Sequence, residues 1–337
     1  MTDVFVPTRR AALAGAALLG VTLAAAVPGT PAPAQEVYPA RPVTVVVPQA
    51  PAGTNDIVAR VLADKMGEIL GQARFVVENR PGAGGNIGTA SAARAAPDGY
   101  TLLVTISSTQ AINPSLFAKL GFDPVKDFEP ITLLATVPNV LVAHPSLPAN
   151  TVAELITLAK QQAATQPLQY ASAGNGTLNH LLGEMLKSRA GIPLTHVPYR
   201  GVAPAINDMV AGHVMLGFAS MPSVMSHLQG KSLKALAMSS AQRTPAAPDI
   251  PAIAETLPGF AADLWVALFA PRGLPKTVRD KLHTAAVQAM KDPGVQEKLK
   301  AQGATIVTGT PEELAALLDT DLAAWAEVVK TAGAKVE

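Results

Sequence analysis

Val43 to Met66 reads VTVVVPQAPAGTNDIVARVLADKM, and the rest of the chain is organised around this stretch. Val43, Val45, Val46 and Val47 are β-branched and bounded by Pro42 and Pro48, which is the pattern of a buried strand. Ile57, Val58, Val61, Leu62, Ile69 and Leu70 recur at helical intervals and define one apolar face. The segment between them, Pro48-Gln49-Ala50-Pro51-Ala52-Gly53-Thr54-Asn55, continues neither element. A strand that turns into a helix N-terminus leaves unpaired N–H groups and the positive end of the helix dipole facing one space. Such a turn is an anion site, and the expectation is that it holds a small carboxylate.

Composition narrows the alternatives. The chain has 337 residues, enough for two domains or one large α/β domain. A formal net charge of +1 and only 15% charged residues leave no electrostatic footprint for nucleic acid. The chain has no cysteine, which removes disulfides, thiolate catalysis and zinc–thiolate sites together. Aromatic residues make up 4%, too few for stacking platforms that hold sugars or bases. At the N-terminus, Thr8-Arg9-Arg10 precedes an Ala/Leu/Val run from Ala11 to Val27, followed by Ala32-Pro33-Ala34. This order of charge, apolar core and small-residue end predicts a secretory signal peptide over 1–34, and the paired arginines fit the twin-arginine route.

Along the mature chain, strand and helix patterns alternate. Arg74 to Glu78 and Thr101 to Ile106 read as strands, each ending in a loop: Asn79-Arg80-Pro81-Gly82-Ala83-Gly84-Gly85-Asn86 and Ser107-Ser108-Thr109-Gln110. Alternation predicts parallel βαβ units with ligands beyond the carboxyl ends of the strands, where all three loops lie. Thr151-Val152-Ala153-Glu154 reads as a capping box opening a second α/β series. In that series the loop Ser172-Ala173-Gly174-Asn175-Gly176-Thr177 joins a strand, Gln169 to Ala173, to a helix carrying Leu178, Leu181, Leu182, Met185 and Leu186. Leu264 to Ala270 is a late strand, and Thr310-Pro311-Glu312-Glu313 caps a final helix. The expected layout is lobe 1 from 35–139 and 260–337, and lobe 2 from 140–259. Two extended crossings, near Asn139 and Phe260, form the hinge, and a ligand sits between the facing glycine loops.

Other motifs carry less chemistry. Gly82, Gly84 and Gly88 invite a dinucleotide reading, but the next strand ends in Ser107-Ser108 and supplies no acid for a ribose. The loop at Ser172 has no serine between two glycines and is not a nucleophile elbow. The six histidines show no metal-ligand spacing, and His180, one turn into its helix, is expected to order the preceding loop by hydrogen bonding. Asp56, at a helix start, is read as a partner of the dipole. No metal or cofactor is expected.

The chain resembles the Bug family of extracytoplasmic solute receptors, the substrate-binding subunits of tripartite tricarboxylate transporters. The landmarks are VPQAPAGTNDIVAR, VENRPGAGGNIG, DGYTLL, INPSLF, SAGNGTLNHLLGE, VPYRGVAPAINDMVAGHV and LWVALFAP, in that order. The resemblance implies a type II periplasmic-binding-protein fold, with two α/β lobes joined by a two-crossing hinge that close on a small carboxylate. The ligand class is an amino-acid, dicarboxylic, tricarboxylic or aromatic acid, gripped by loop backbone and hydroxyl groups. Carried over by position, the site comprises Gln49, Gly53, Thr54 and Asn55, then Ser107, Ser108 and Thr109. Gly174, Asn175, Gly176 and Thr177 face them, beside Tyr199 and Arg200. Family members usually carry an aromatic where Gln49 stands, two glycines where Ala52-Gly53 stand, lysine where Arg200 stands and an acid where Met215 stands. The implied protein is a periplasmic, non-enzymatic monomer that delivers its ligand to membrane permease subunits. A receptor for a signalling partner and an extracytoplasmic hydrolase are the competing classes.

Overall fold

The valines that open the decisive stretch form β1 (Val43–Val47), the fifth of six strands in a sheet covered on both faces. The computed structural model describes residues 38–334 other than 52, 245–246 and 302, so the expected signal peptide lies outside the described residues. Val43, Val45 and Val47 pack with Val58, Leu62 and Met66 of α1 (Thr54–Ile69). Val46 turns to the other face, with Ala90 and Ala92 of α2 (Asn86–Ala93). Strand alternation thus sends one apolar run into two cores, each fully buried side chain contributing about 1.5–3 kcal/mol.

β1 pairs in parallel with β2 (Phe75–Asn79) and β3 (Thr101–Ile106), as βαβ alternation predicts. The remaining half of the sheet departs from that prediction. Beyond the short α3 (Asn113–Leu116) comes β4 (Phe128–Val137), which leads through Pro138 alone into β5 (Asn139–Ala143). β5 belongs to a second sheet, built after α4 (Val152–Gln162) from β6 (Leu168–Ser172), α5 (Leu178–Ala190), β7 (Leu194–Pro198) and α6 (Val202–Val210). It is completed by β8 (Leu216–Ser220), α7 (Met221–Gln229) and β9 (Lys234–Met238).

The chain re-enters the first sheet as β10 (Leu264–Pro271), which lies antiparallel between β3 and β4. Then follow α8 (Lys276–Met290), α9 (Pro293–Ala301), β11 (Thr305–Ile306) and α10 (Pro311–Ala332). Strand order is β11-β4-β10-β3-β1-β2 in one sheet and β7-β6-β8-β5-β9 in the other, both mixed. β10, by which the chain returns from the second sheet, is antiparallel to both its neighbours, and β11 adds an antiparallel edge on β4. A chain leaving one sheet and returning must reverse direction, and local periodicity carries no record of that.

Both predicted caps form, with one difference. At α10 the box is reciprocal: Glu313 N–H donates to Thr310 Oγ1 at 3.1 Å, and Thr310 N–H donates to Glu313 Oε2 at 2.8 Å. At α4, Glu154 N–H donates to Thr151 Oγ1 at 3.1 Å, but the Glu154 carboxylate accepts from Asn150 N–H at 2.6 Å. The carboxylate has slid one residue back and still satisfies an N–H ahead of the helix.

Candidate functional site

The carboxyl ends of β1, β2 and β3 bring three loops to one edge of the first sheet, and those of β6, β7 and β8 do the same in the second. A cavity of about 880 Å³ opens where Gln49, Thr54, Gly84 and Ser108 meet Asn175, Thr177, Asn179 and Val202. Asn139, Ser220 and Leu264, from the ends of β5, β8 and β10, also line it. None of the described residues lining it carries a charged side chain. Helix N-termini supply partial positive charge instead. The N-cap residues of α1, α5, α6 and α7, namely Gly53, Thr177, Gly201 and Ser220, all lie on the wall.

At α1, α6 and α7 no side chain caps the helix. In α1, Ile57 N–H already bonds Gly53 O at 3.0 Å, so the preceding first-turn N–H groups are the ones without an intrahelical acceptor. An anion entering here meets oriented dipoles and no counter-ion, an arrangement suited to reversible capture.

The predicted residues divide into a wall and a layer behind it. Gln49, Gly53, Thr54, Ser108, Asn175, Gly176 and Thr177 line the cavity. Asn55, Ser107 and Thr109 are buried directly behind. Asn55 Nδ2 donates to Val104 O at 3.1 Å and to Gln49 Oε1. Among the described residues, Asn55 Oδ1, Ser107 Oγ and both ends of the Gln110 amide are buried with no protein partner. Each such group costs about 1–3 kcal/mol, a penalty the fold accepts beside this cavity. Asp56, the acid of the opening turn, is buried and held by Arg60 at 2.9 Å and Asn79 Nδ2 at 2.9 Å, outside the cavity lining.

On the opposite side, Gly174 sets the loop: its N–H donates to Ser172 Oγ at 3.1 Å and its carbonyl accepts from Thr177 Oγ1 at 2.7 Å. Tyr199 turns its hydroxyl to Asp208 Oδ2 at 2.6 Å, and burial followed by this bond pushes its pKa up to about 12. Arg200 is exposed and, like Tyr199, lies outside the lining. Asn113, Phe117, Asn139, Asn179, Ser220 and Leu264 line the cavity without having been expected there. Only Asn179, two residues past the α5 N-cap, lay within reach of a local argument.

Behind the second loop sits a titratable cluster. Gly176 N–H donates to His180 Nδ1 at 3.1 Å, so the imidazole orders the loop as a neutral acceptor. His180 stacks on His196 with ring centroids 4.0 Å apart, and His196 stacks in turn on Tyr170. Burial lowers the pKa of His180, and burial with the neighbouring imidazole brings His196 down to about 4. His196 Nε2 lies 2.6 Å from Ser172 Oγ, but Ser172 is buried, does not line the cavity and is tied to both Gly174 N and O. This pair is a structural bond of the loop.

The chain matches the family model described as "Tripartite tricarboxylate transporter family receptor" over residues 58–334. It is 37% identical over 325 residues to Protein BugT of Bordetella pertussis (strain Tohama I), covering 95% of this chain and 98% of BugT. Among solved structures it is similar to the periplasmic binding protein BugD, with 39% identity, TM-score 0.74, and 89% of this chain and 100% of that one covered. R. palustris Rpa4515, solved with adipate, shows 34% identity and TM-score 0.77, again over 89% and 100%. The chain belongs to the tripartite tricarboxylate transporter family receptors, a family of periplasmic solute-binding proteins. No helix among the described residues is long and apolar enough to cross a membrane.

Proposed function

We propose that the protein captures a small organic carboxylate between two lobes, 35–139 with 260–337 and 140–259, and delivers it to membrane permease subunits of a tripartite transporter. The observation that carries this reading is the cavity between two sheets, where four helix N-caps converge without a charged side chain. Oriented N–H groups replace the hydration of a carboxylate, and no lysine or arginine holds it permanently. Thr54 and Ser108 hydroxyls from one side, with Asn175 and the first turn of α5 from the other, give the ligand contacts in both lobes. A ligand with such contacts favours the closed arrangement by its differential affinity for it. The adipate seen in Rpa4515 supports an acid of this size. The protein acts as a monomer without cofactor or metal, does no chemistry on its ligand, and reaches the periplasm by a cleaved signal peptide.

Thermal-shift screening of adipate, glutamate, citrate and benzoate, followed by calorimetry on the hits, tests the reading, because a ligand of the native state raises the melting temperature by mass action. Thr54→Ala with Thr177→Ala should weaken binding of the selected acid about tenfold, through a hydroxyl lost from the wall at Thr54 and the loop anchor to Gly174 O lost at Thr177. An unchanged affinity would show that these loops do not hold it. Turnover of a bound acid would sink the non-enzymatic assignment.

A further inference from the structure

Gln49 stands on the cavity wall, yet its amide is engaged by the protein. Oε1 accepts from Asn55 Nδ2 in the first turn of α1. Nε2 donates to Thr109 Oγ1 at 3.0 Å, and Thr109 passes its own proton to Gly84 O at 3.1 Å. Gly84 O also accepts from Asn113 Nδ2 at 3.0 Å, and that amide reaches Asn86 Oδ1 at 2.7 Å. The Gln49 backbone carbonyl accepts from Asn79 Nδ2 at 3.1 Å. The loops that follow β1, β2 and β3 therefore join through two side chains in series, Gln49 and Thr109. Packing agrees with the bonding: at Gly85, whose φ is +96°, a Cβ would fall 2.7 Å from Thr109 Oγ1 and 2.8 Å from Gln49 Nε2. The glycine loop lies directly on the Gln49–Thr109 pair, and only a residue without a side chain fits there.

We propose that Gln49 is a positioning residue for the anion site. Its amide holds the N-terminus of α1, the glycine turn at 83–85 and the turn at 108–112 in one relative placement, and acts on the ligand through them. This rests on the receptor reading given above. The bonds run in one direction, from Gln49 N–H to the Thr109 hydroxyl to the Gly84 carbonyl, so each donor is polarised by the one before it. Thr54 and Ser108, the hydroxyls on that wall, flank the two partners of the amide in sequence, Asn55 and Thr109. A shift of either loop moves a hydroxyl that faces the cavity. Thr109 itself has no exposed surface, so its effect on a ligand is indirect.

The test compares Gln49→Met, Thr109→Val and the double variant, each close in volume to the residue it replaces. Adipate is the calorimetric probe, and amide hydrogen exchange is followed in the ligand-free protein. Each single change should weaken adipate binding roughly threefold to tenfold, the worth of one ordinary hydrogen bond. The double variant should lose no more than the larger single loss, because one chain of bonds cannot be broken twice. Amides at 83–86 and 108–111 should exchange faster in all three proteins, and Thr109→Ser, which keeps the hydroxyl, should behave as wild type. Loss of affinity in Gln49→Met but not in Thr109→Val would mean direct contact with the ligand and overturn the proposal. So would additive losses, or exchange unchanged in both segments. If adipate binds none of the proteins, that failure belongs to the ligand assignment, and the exchange comparison alone decides the role of Gln49.

Discussion

Replacing His196 with glutamine and following unfolding between pH 7.5 and pH 5 tests the electrostatics behind the second glycine loop. The unfolded imidazole titrates at the ordinary value of 6.5, whereas burial and the stacked His180 ring bring the folded value of His196 to about 4. At pH 7.5 both states are neutral and the group contributes no pH dependence. As pH falls through 6.5, the unfolded chain takes up a proton that the folded chain refuses until about pH 4, so stability falls with pH over that window. At pH 5 the two values correspond to about 2 kcal/mol, and screening of a partly exposed ring brings the expectation to about 1–2 kcal/mol.

For a folded chain of this size 1 kcal/mol moves the melting temperature by about 1.5–2 °C. Wild type should therefore lose roughly 1.5–4 °C more than His196→Gln between the two pH values. The charged groups acting on the pair, Glu184 and Lys187 on α5, remain in both proteins and cancel in the comparison. Asp263, whose titration has the opposite sign, cancels in the same way. Differential scanning calorimetry at both pH values is the assay. An identical pH response in the two proteins would refute the reasoning. The functional corollary concerns His180, whose lowered pKa has the same sign. Once protonated, it no longer accepts from Gly176 N–H, so ligand affinity should fall as well at the acid end.

Two further predictions concern packing and buried charge. Gly183→Ala in α5 would drive a Cβ into the ring of Tyr170, which is buried and anchored by its hydroxyl to Glu184 Oε1 at 2.8 Å. Overpacking of about 1–3 kcal/mol should outweigh a helix-propensity gain of about 0.5–1 kcal/mol, lowering the urea midpoint. A midpoint at or above wild type would contradict this. Asp263 is pushed up to about 6 by burial, although it accepts from Ser239 Oγ at 3.2 Å. A raised carboxyl stabilises the fold while protonated and loses that contribution as pH rises from about 4 through 6. Asp263→Asn should accordingly stabilise the protein at pH 7.5 by about 1–2 kcal/mol and keep only about a third of that gain at pH 4.5, read from denaturant midpoints at the two pH values.

Much of the fold was legible because local spacing encodes local structure. The valines of β1, the helical recurrence from Ile57 to Leu70 and the Thr310 cap each depend on residues within a few positions, and each forms the expected element. Element ends moved by one to three residues, as at β2, which runs Phe75–Asn79 instead of Arg74 to Glu78. The wall of the cavity was legible wherever it follows a glycine loop. Asn139, Ser220 and Leu264 were not, because they reach the cavity at the ends of strands whose neighbours lie 80 to 130 residues away in the chain.

The sequence alone determined the strand-to-helix turns rich in glycine and hydroxyl groups that come to line the cavity. Tertiary structure decided how those turns are combined. Sheet order carries the ends of β1, β6 and β8 to one cavity, and the antiparallel return of β10 places Leu264 between them. It also decided that the Gln49 amide would be spent on Asn55 and Thr109, partners 6 and 60 residues away. A side chain's nearest acceptor is set by the packing of strands, which no window of sequence contains.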